Sequence, residues 1–275
     1  MKGAVRALLV IALAAFPACG DTEEKLTHPT GTGEVVMKVT TFGGLPPPPD
    51  VLERILPSFV LYGDGSVIVA GGDGILPTMQ IGRVNEKGIQ TILSAARDAG
   101  LTQGDRQLQV GDLFDASTTH IVVVADEAEH RTDVYGLGYP VPRNDETAPI
   151  EEFVDNLHDL AEFVGADAIV QDFKPYESPA VAIAAIEALP RPEEHVVRWD
   201  FADLGDLTGR MDVYRTQWRC DVFVSEAPVI IEALGDVEGD ARWRSRGRLF
   251  TLFARPILPD ELDLRGCDPW QTQGS

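Results

Sequence analysis

The sequence predicts an α+β protein, with antiparallel sheets built from hairpins and amphipathic helices packed on one face. Segment 34–42 alternates apolar and polar residues, as a half-buried strand does. Two β-rich runs flank an Asp-Gly pair within 57–69, which is a hairpin signal. Segments 85–100 and 147–164 repeat apolar residues at helical spacing. The resulting order of strand, hairpin, helix, strand pair and helix favours this fold class.

The predicted hairpin has its turn at Gly63-Asp64-Gly65. Asp-Gly pairs accept the positive φ angles that tight turns require. Asp64 and Asp73 do not form a calcium loop, because an EF-hand needs oxygen ligands at alternating positions and a closing Glu. The turn is therefore interpreted as structural.

The first predicted helix has clear signals at both ends. Asn85 is a favourable N-cap, and Gly100 followed by Leu101 is typical of a Schellman stop with its hydrophobic contact. A second pair of strands is expected between the two helices, at 120–125 and 130–135.

Beyond residue 166 the secondary-structure signals weaken. Segment 176–189 is Ala-rich and fits either a helix or a strand, and the proline at 190 ends it in both cases. Three further elements are expected, a strand at 221–224, a helix at 225–234 and a strand at 242–256. We therefore predict an α+β domain over 34–170 and a smaller α+β portion over 171–275, packed on the first.

The N-terminus carries an export signal. Lys2 and Arg6 precede an unbroken apolar run at 7–16, and small residues follow it. The cysteine after these small residues resembles the lipobox of bacterial lipoproteins, which implies cleavage before Cys19 and acylation of its thiol with palmitate-type chains. An ordinary signal peptide with an incidental cysteine is the alternative. The predicted division is a signal peptide at 1–18 and a flexible polar tether at 19–33.

Two cysteines remain once Cys19 is assigned to lipid. In an exported chain, Cys220 and Cys267 are expected to form a disulfide bond. Two free buried thiols are the alternative.

Several motifs resemble a known group of proteins. These are Phe59-x-Leu61-Tyr62-Gly63-Asp64-Gly65, the helix ending at Gly100-Leu101, and a C-terminal Arg255-Pro256-x-Leu258-Pro259-Asp260-Glu261 that closes at Cys267. Together they resemble uncharacterised secreted bacterial lipoproteins of the actinobacterial type. The resemblance implies export and a similar architecture across most of the mature chain. It implies no activity.

Composition and motifs exclude several functional classes. The net charge of −21 argues against a nucleic-acid partner, because phosphates repel an acidic surface. No apolar run is long enough to span a bilayer. The sequence has no nucleophile elbow, zinc-protease motif, P-loop or dinucleotide fingerprint. No catalytic residue, cofactor or metal is therefore predicted.

Two side-chain patterns remain as candidate sites. His120 and His130 flank a predicted hairpin and could approach each other with a nearby carboxylate, although surface histidines are the simpler interpretation. Four arginines occupy alternate positions of one predicted strand and would share a face: Arg242, Arg244, Arg246 and Arg248. This pattern suggests either an anion-binding ladder or internal pairing with the acids Asp236, Glu238 and Asp240. A turn at Gly247 is a further alternative, and it would divide the strand and scatter the four arginines.

These observations lead to one functional expectation. The protein is predicted to be a lipid-anchored lipoprotein on the extracytoplasmic face of the cell membrane, a non-catalytic binding or structural module. Its expected partners are the membrane, through the lipid, and a protein or polymer of the cell envelope. An extracytoplasmic hydrolase with scattered active-site residues and a solute-binding lipoprotein of a transporter are the alternatives.

Overall fold

The computed structural model describes residues 25–43, 56–72, 76–142, 144–189, 195–207, 210–212, 215–217, 220–235, 237 and 241–262. The predicted fold class is confirmed, since the chain is mixed α+β with two mostly antiparallel sheets. None of the described helices is long and apolar enough to cross a membrane.

The first sheet has eight strands in the order β5-β7-β6-β1-β2-β3-β4-β8. Its neighbours are antiparallel except β5 and β7, which are parallel. Its strands are β1 (Val35–Gly43), β2 (Phe59–Tyr62), β3 (Ser66–Gly72), β4 (Thr78–Val84), β5 (Arg106–Gln109), β6 (Ser117–Ala125), β7 (Ala128–Tyr135) and β8 (Ile169–Pro175).

The hairpin between β2 and β3 forms at the predicted turn. The Gly65 N–H donates to the Tyr62 carbonyl at 2.9 Å, and Gly65 has a φ of +83°. A Cβ at position 65 would lie 2.2 Å from the Val84 carbonyl oxygen. Glycine is therefore required by backbone conformation and by the close approach of β4.

The helices cover one face of this sheet. α1 (Glu86–Asp98) begins at Asn85, whose side chain accepts from the Gly88 N–H at 3.1 Å. It ends as predicted, because the Leu101 N–H donates to the Ala96 carbonyl and Gly100 has a φ of +78°. Ile92 and Leu93 of α1 are fully buried in the main core.

The second predicted helix is interrupted. It consists of α2 (Ala148–Asn156), a 3₁₀ turn at Leu157–Asp159 and α3 (Leu160–Val164). The Asp159 side chain accepts from the Glu162 N–H at 3.2 Å and starts the second piece. The apolar stripe still faces the core, where Ile150 and Phe153 are buried.

The second sheet has five strands in the order β10-β14-β15-β9-β13, and β10 and β14 are its parallel pair. Within segment 176–189, residues Val181–Glu187 form a strand, which decides between the two predicted alternatives. The strands of this sheet are β9 (Val181–Glu187), β10 (Val196–Arg198), β13 (Cys220–Phe223), β14 (Arg242–Ser245) and β15 (Arg248–Pro256). A separate pair consists of β11 (Arg210–Asp212) and β12 (Arg215–Gln217). The helix α4 (Ala227–Gly235) follows β13.

The single strand predicted at 242–256 is a hairpin. Ser245 pairs with Arg248 across a two-residue turn at Arg246 and Gly247, which have φ angles of +46° and +84°. Positive φ at both positions is typical of a type I′ turn. The turn divides the predicted strand and therefore the arginine ladder.

A buried or partly buried polar cluster joins the two sheets. Lys38 of β1 donates to Asp260 at 2.8 Å, and the Tyr62 hydroxyl donates to the other carboxylate oxygen of Asp260 at 2.7 Å. Arg255 of β15 donates to Glu261, which lies 3.6 Å from the Lys38 ammonium. Burial, reinforced by Asp260, raises the pKa of Tyr62, so its hydroxyl remains a donor. Segment 257–261 thus fastens the second sheet to the first.

Part of the predicted flexible tether is packed on the domain, which corrects that expectation for residues 25–33. Leu26 is buried in the main core and exchanges hydrogen bonds with the Gln90 side chain at 3.1 and 2.8 Å. The Thr27 N–H donates to Asp126 at 2.9 Å, and the Asp126 N–H donates to the Thr27 carbonyl at 2.8 Å. Pro29 lies so close to Gly63 that a Cβ on Gly63 would be 2.5 Å from the Pro29 carbonyl oxygen.

Two of the three cysteines, Cys19 and Cys267, lie outside the described residues. For Cys220 the structure describes only the backbone, which lies in β13. The lipidation and the disulfide bond therefore stay predictions.

Candidate functional site

Strand register brings a set of polar side chains together on the face of the first sheet opposite the helices. Gln107 of β5 lies beside Asp133 of β7, which lies beside His120 of β6. Directly opposed residues share a face, and so do residues two apart. A second row therefore runs parallel to the first, through Gln109, Tyr135, Thr118 and Phe42.

These rows line a shallow open depression, which we call the polar groove. It is lined by Gln107, Leu108, Gln109, Thr118, His120, Asp133 and Tyr135. Its amides and hydroxyls donate and accept hydrogen bonds, whereas an ionised carboxylate only accepts. The groove can therefore hold a polar ligand by several hydrogen bonds without a metal.

A carboxylate–imidazole pair lies at the centre of the polar groove. His120 Nδ1 lies 2.5 Å from Asp133 Oδ1, and both side chains are about one-third exposed, at 31% and 32%. The Phe42 ring stacks on the imidazole with centroids 3.9 Å apart and 9° between the planes. The carboxylate and the stacked ring together fix the orientation of the imidazole.

The pair can orient a proton donor or acceptor. With Nδ1–H directed at the carboxylate, the neutral imidazole keeps Nε2 as an acceptor. A carboxylate behind an imidazole is also how general bases are oriented in hydrolases. Hydrolysis would in addition require a nucleophile or water held at Nε2.

Titration of His120 is expected to differ from that of a free histidine. Burial lowers its pKa from the ordinary value of about 6.5, and this outweighs the opposite effect of Asp133. The unfolded chain then binds the proton more readily, so acidification through about pH 6.5 favours unfolding. Asp133→Asn should lower the pKa of His120 further, because it removes the charge that stabilises the imidazolium.

The measurement is the pH dependence of the His120 ring proton shifts in NMR spectra. Glu129→Gln is a matched control, since Glu129 is on the same strand and bonds Arg131 instead. A His120 pKa above 6.5 in the native protein, or an increase with Asp133→Asn, would contradict the expectation.

The suggested approach of His120 and His130 does not occur. Asp133 shares a face with His120, and His130 is three residues from Asp133, so the two histidines lie on opposite faces of the sheet. His130 Nδ1 instead accepts from the Gly104 N–H at 3.1 Å. Among the described residues, no group of three or more His, Cys, Asp or Glu could hold a metal ion.

The four candidate arginines do not form one continuous ladder. Arg242 and Arg244 lie on β14, Arg246 lies in the turn and Arg248 begins β15. Arg246 contacts Asp203 at 3.1 Å, and Arg248 lies 3.9 Å from Asp203 and 3.6 Å from Glu187. These carboxylates differ from the expected partners Asp236, Glu238 and Asp240, which lie outside the described residues. Binding of an anion by these arginines stays a prediction.

Sequence reasoning missed most of the polar groove. Gln107, Gln109, Asp133 and Phe42 come from three separate strands, and no spacing in the chain connects them. The alternation at 117–125 did carry a signal, since it places Thr118 and His120 on the face away from the core. The other residues of the polar groove are brought together by the pairing of the strands.

Comparison of the chain with protein-family models, curated proteins and solved structures finds no match. We therefore infer the function from the geometry of the chain itself.

Proposed function

We propose that this protein is a lipid-anchored lipoprotein of the extracytoplasmic membrane face, and that it binds a component of the cell envelope. The binding surface is the polar groove together with the loops at its end. The observation that carries the proposal is the position of this surface relative to the N-terminal segment, which joins the domain at the opposite end of the β6–β7 hairpin.

The two ends of this hairpin differ in their contacts. At one end, Asp126 in the turn between β6 and β7 exchanges hydrogen bonds with Thr27. At the other end, β6 begins and β7 finishes beside Thr118 and Tyr135 of the polar groove. The β6 strand has nine residues, which span about 26 Å at the rise of a strand. The groove thus lies well away from the N-terminal segment.

The anchor would act over a short distance. If Cys19 is the first mature residue, residues 20–24 separate it from Lys25, where the described chain begins. Such a segment reaches at most about 20 Å when fully extended. The Asp126 end of the domain would then face the membrane, and the polar groove would face the envelope.

A binding role requires only groups that the groove already presents. A hydrolase is the second candidate function, favoured by the His120–Asp133 pair. It requires a positioned nucleophile in addition, so binding is the function we propose.

Replacing Cys19 with alanine should abolish incorporation of a fatty-acid probe and move the protein from the membrane fraction to the soluble fraction. Two or three acyl chains anchor a protein stably, whereas the short apolar signal cannot span the bilayer. Metabolic labelling followed by fractionation provides the measurement. Cys220→Ala is the control and should retain the label. Equal labelling of the native chain and Cys19→Ala would contradict the anchor.

A further inference from the structure

A pair of loops at the end of the polar groove exposes aromatic side chains. The loop 110–116 carries Phe114, which is 92% exposed, the highest exposure among the large apolar side chains of the described residues. The adjacent loop 136–142 carries Tyr139, which is 38% exposed, followed by an exposed Pro140. We call these two loops the aromatic tip.

Hydrogen bonds hold the first loop at both of its ends. Val110 N–H donates to the Tyr135 carbonyl at 2.9 Å, and Ala116 N–H donates to the Tyr135 hydroxyl at 2.8 Å. The Gln109 side chain donates to the Gly111 carbonyl at 2.7 Å. Because Tyr135 and Gln109 also line the polar groove, the tip and the groove share a frame.

The two loops also contact each other. A Cβ on Gly136 would lie 2.3 Å from Leu113 Cδ1, so Leu113 packs directly over that glycine. A Cβ on Gly111 would similarly lie 3.7 Å from the Val141 side chain. Leu113 is therefore held against the second loop while the next residue, Phe114, extends into solvent.

An aromatic side chain exposed on a loop that is itself held in place is well suited to binding. Aromatic residues, including phenylalanine, are enriched in protein interfaces. The side chains that dominate the binding energy fill pockets near the centre of the interface. A loop that is already ordered loses little conformational entropy when it docks. The exposure of Phe114 on a braced loop thus indicates an anchor for a partner.

The charges beside Phe114 select the kind of partner. Asp112 and Asp115 are exposed on the same loop, and the whole chain carries a net charge of −21. Like charges disfavour a second copy of this chain, an anionic lipid surface or an anionic polymer at this site. An apolar pocket with a basic rim satisfies both the ring and the carboxylates.

We infer that the aromatic tip is a docking site for a protein whose surface has an apolar pocket rimmed by basic side chains, with Phe114 inserted in the pocket. The inference rests on the proposed function and deepens it, since it assigns the tip, rather than the groove, to a protein partner.

Site-specific photo-crosslinking in cells tests this inference. A photo-crosslinking phenylalanine analogue replaces Phe114 in the full chain. In matched chains it replaces Val229, a 57% exposed residue of α4, or Gln107 in the polar groove. Asp112→Asn combined with Asp115→Asn then removes the two charges; asparagine tolerates the φ of +56° at position 115.

We expect a discrete, protease-sensitive adduct from position 114 and none from position 229. The double Asp→Asn change should reduce its yield about tenfold by removing attraction to the basic rim. An adduct yield that the double Asp→Asn change leaves unaltered would overturn the inferred partner. An adduct with a protease-resistant polymer would overturn it as well.

The control at position 107 separates this inference from the proposed function. An adduct from 107 with none from 114 overturns the docking site and leaves an envelope-binding protein. No adduct from either position would contradict both. Phe114→Ser should leave the melting temperature of the protein unchanged, because the side chain contributes almost nothing to the folded core.

Discussion

Replacing Glu261 with alanine is expected to lower the free energy of unfolding by about 3–5 kcal/mol, the cost of removing one partner from a buried ion pair. Glu261 is 5% exposed and accepts from Arg255, which is 1% exposed. It also accepts from the Leu258 N–H at 3.1 Å. The substitution leaves the Arg255 guanidinium buried without this carboxylate.

The loss should affect contact between the two sheets. Glu261 lies between Arg255 on β15 and Lys38 on β1. Leu258, three residues before Glu261, is fully buried against Tyr62 and Ile68 of the first sheet. Without the ion pair, this segment loses polar contacts on both sides while its leucine still requires burial.

Urea unfolding followed by far-UV circular dichroism measures the effect. Glu162→Ala is the control, because that glutamate is exposed on α3 and should change stability by less than about 0.5 kcal/mol. Arg255→Met combined with Glu261→Leu should recover much of the loss, since an apolar pair avoids the cost of burying charge. A loss below about 1 kcal/mol for Glu261→Ala would show that the pair behaves like a surface ion pair.

Replacing Trp243 with alanine is expected to cost about 3–5 kcal/mol, the range for large aromatic residues removed from a core. Trp243 is 1% exposed in the core of the second sheet. Its ring meets Trp199 edge to face, with centroids 5.6 Å apart and 87° between the planes. Alanine would leave a cavity between β14, β10 and the Trp199 ring.

The same unfolding measurement applies, with Trp243→Phe as a graded variant that keeps an aromatic ring and should lose less. Val229→Ala, at an exposed position of α4, is the control. If Trp243→Ala and Val229→Ala had equal small effects, Trp243 would not be part of a cooperative core.

The sequence has four tryptophans, and large aromatic side chains of this kind are usually packed in a core. Trp199 and Trp243 are buried, while Trp218 and Trp270 lie outside the described residues. Core packing could be predicted because large aromatic surfaces are costly to expose. Their contact could not be predicted, because it depends on the parallel pairing of β10 with β14. That pairing brings Trp199, the residue after β10, to Trp243 on β14.

The sequence was sufficient to predict features that depend only on residues close together in the chain. The turn at Gly65, the N-cap at Asn85 and the stop at Gly100 depend on backbone conformation and on bonds within a few residues. The same limit explains why the sequence left both a continuous strand over 242–256 and a turn at Gly247 open. Alternation continued through Arg246 and Gly247, and strand pairing placed a turn there.

By itself the sequence determined the fold class, the main hairpins, the two long helical segments and the expectation of export. Apolar periodicity and turn chemistry encode these, because each depends on neighbours in the chain. The tertiary structure alone decided the His120–Asp133 pair, the packing of Leu26, the joining of the sheets by Glu261 and the exposure of Phe114. All four depend on strand register or on contacts between distant segments, which a one-dimensional pattern does not specify.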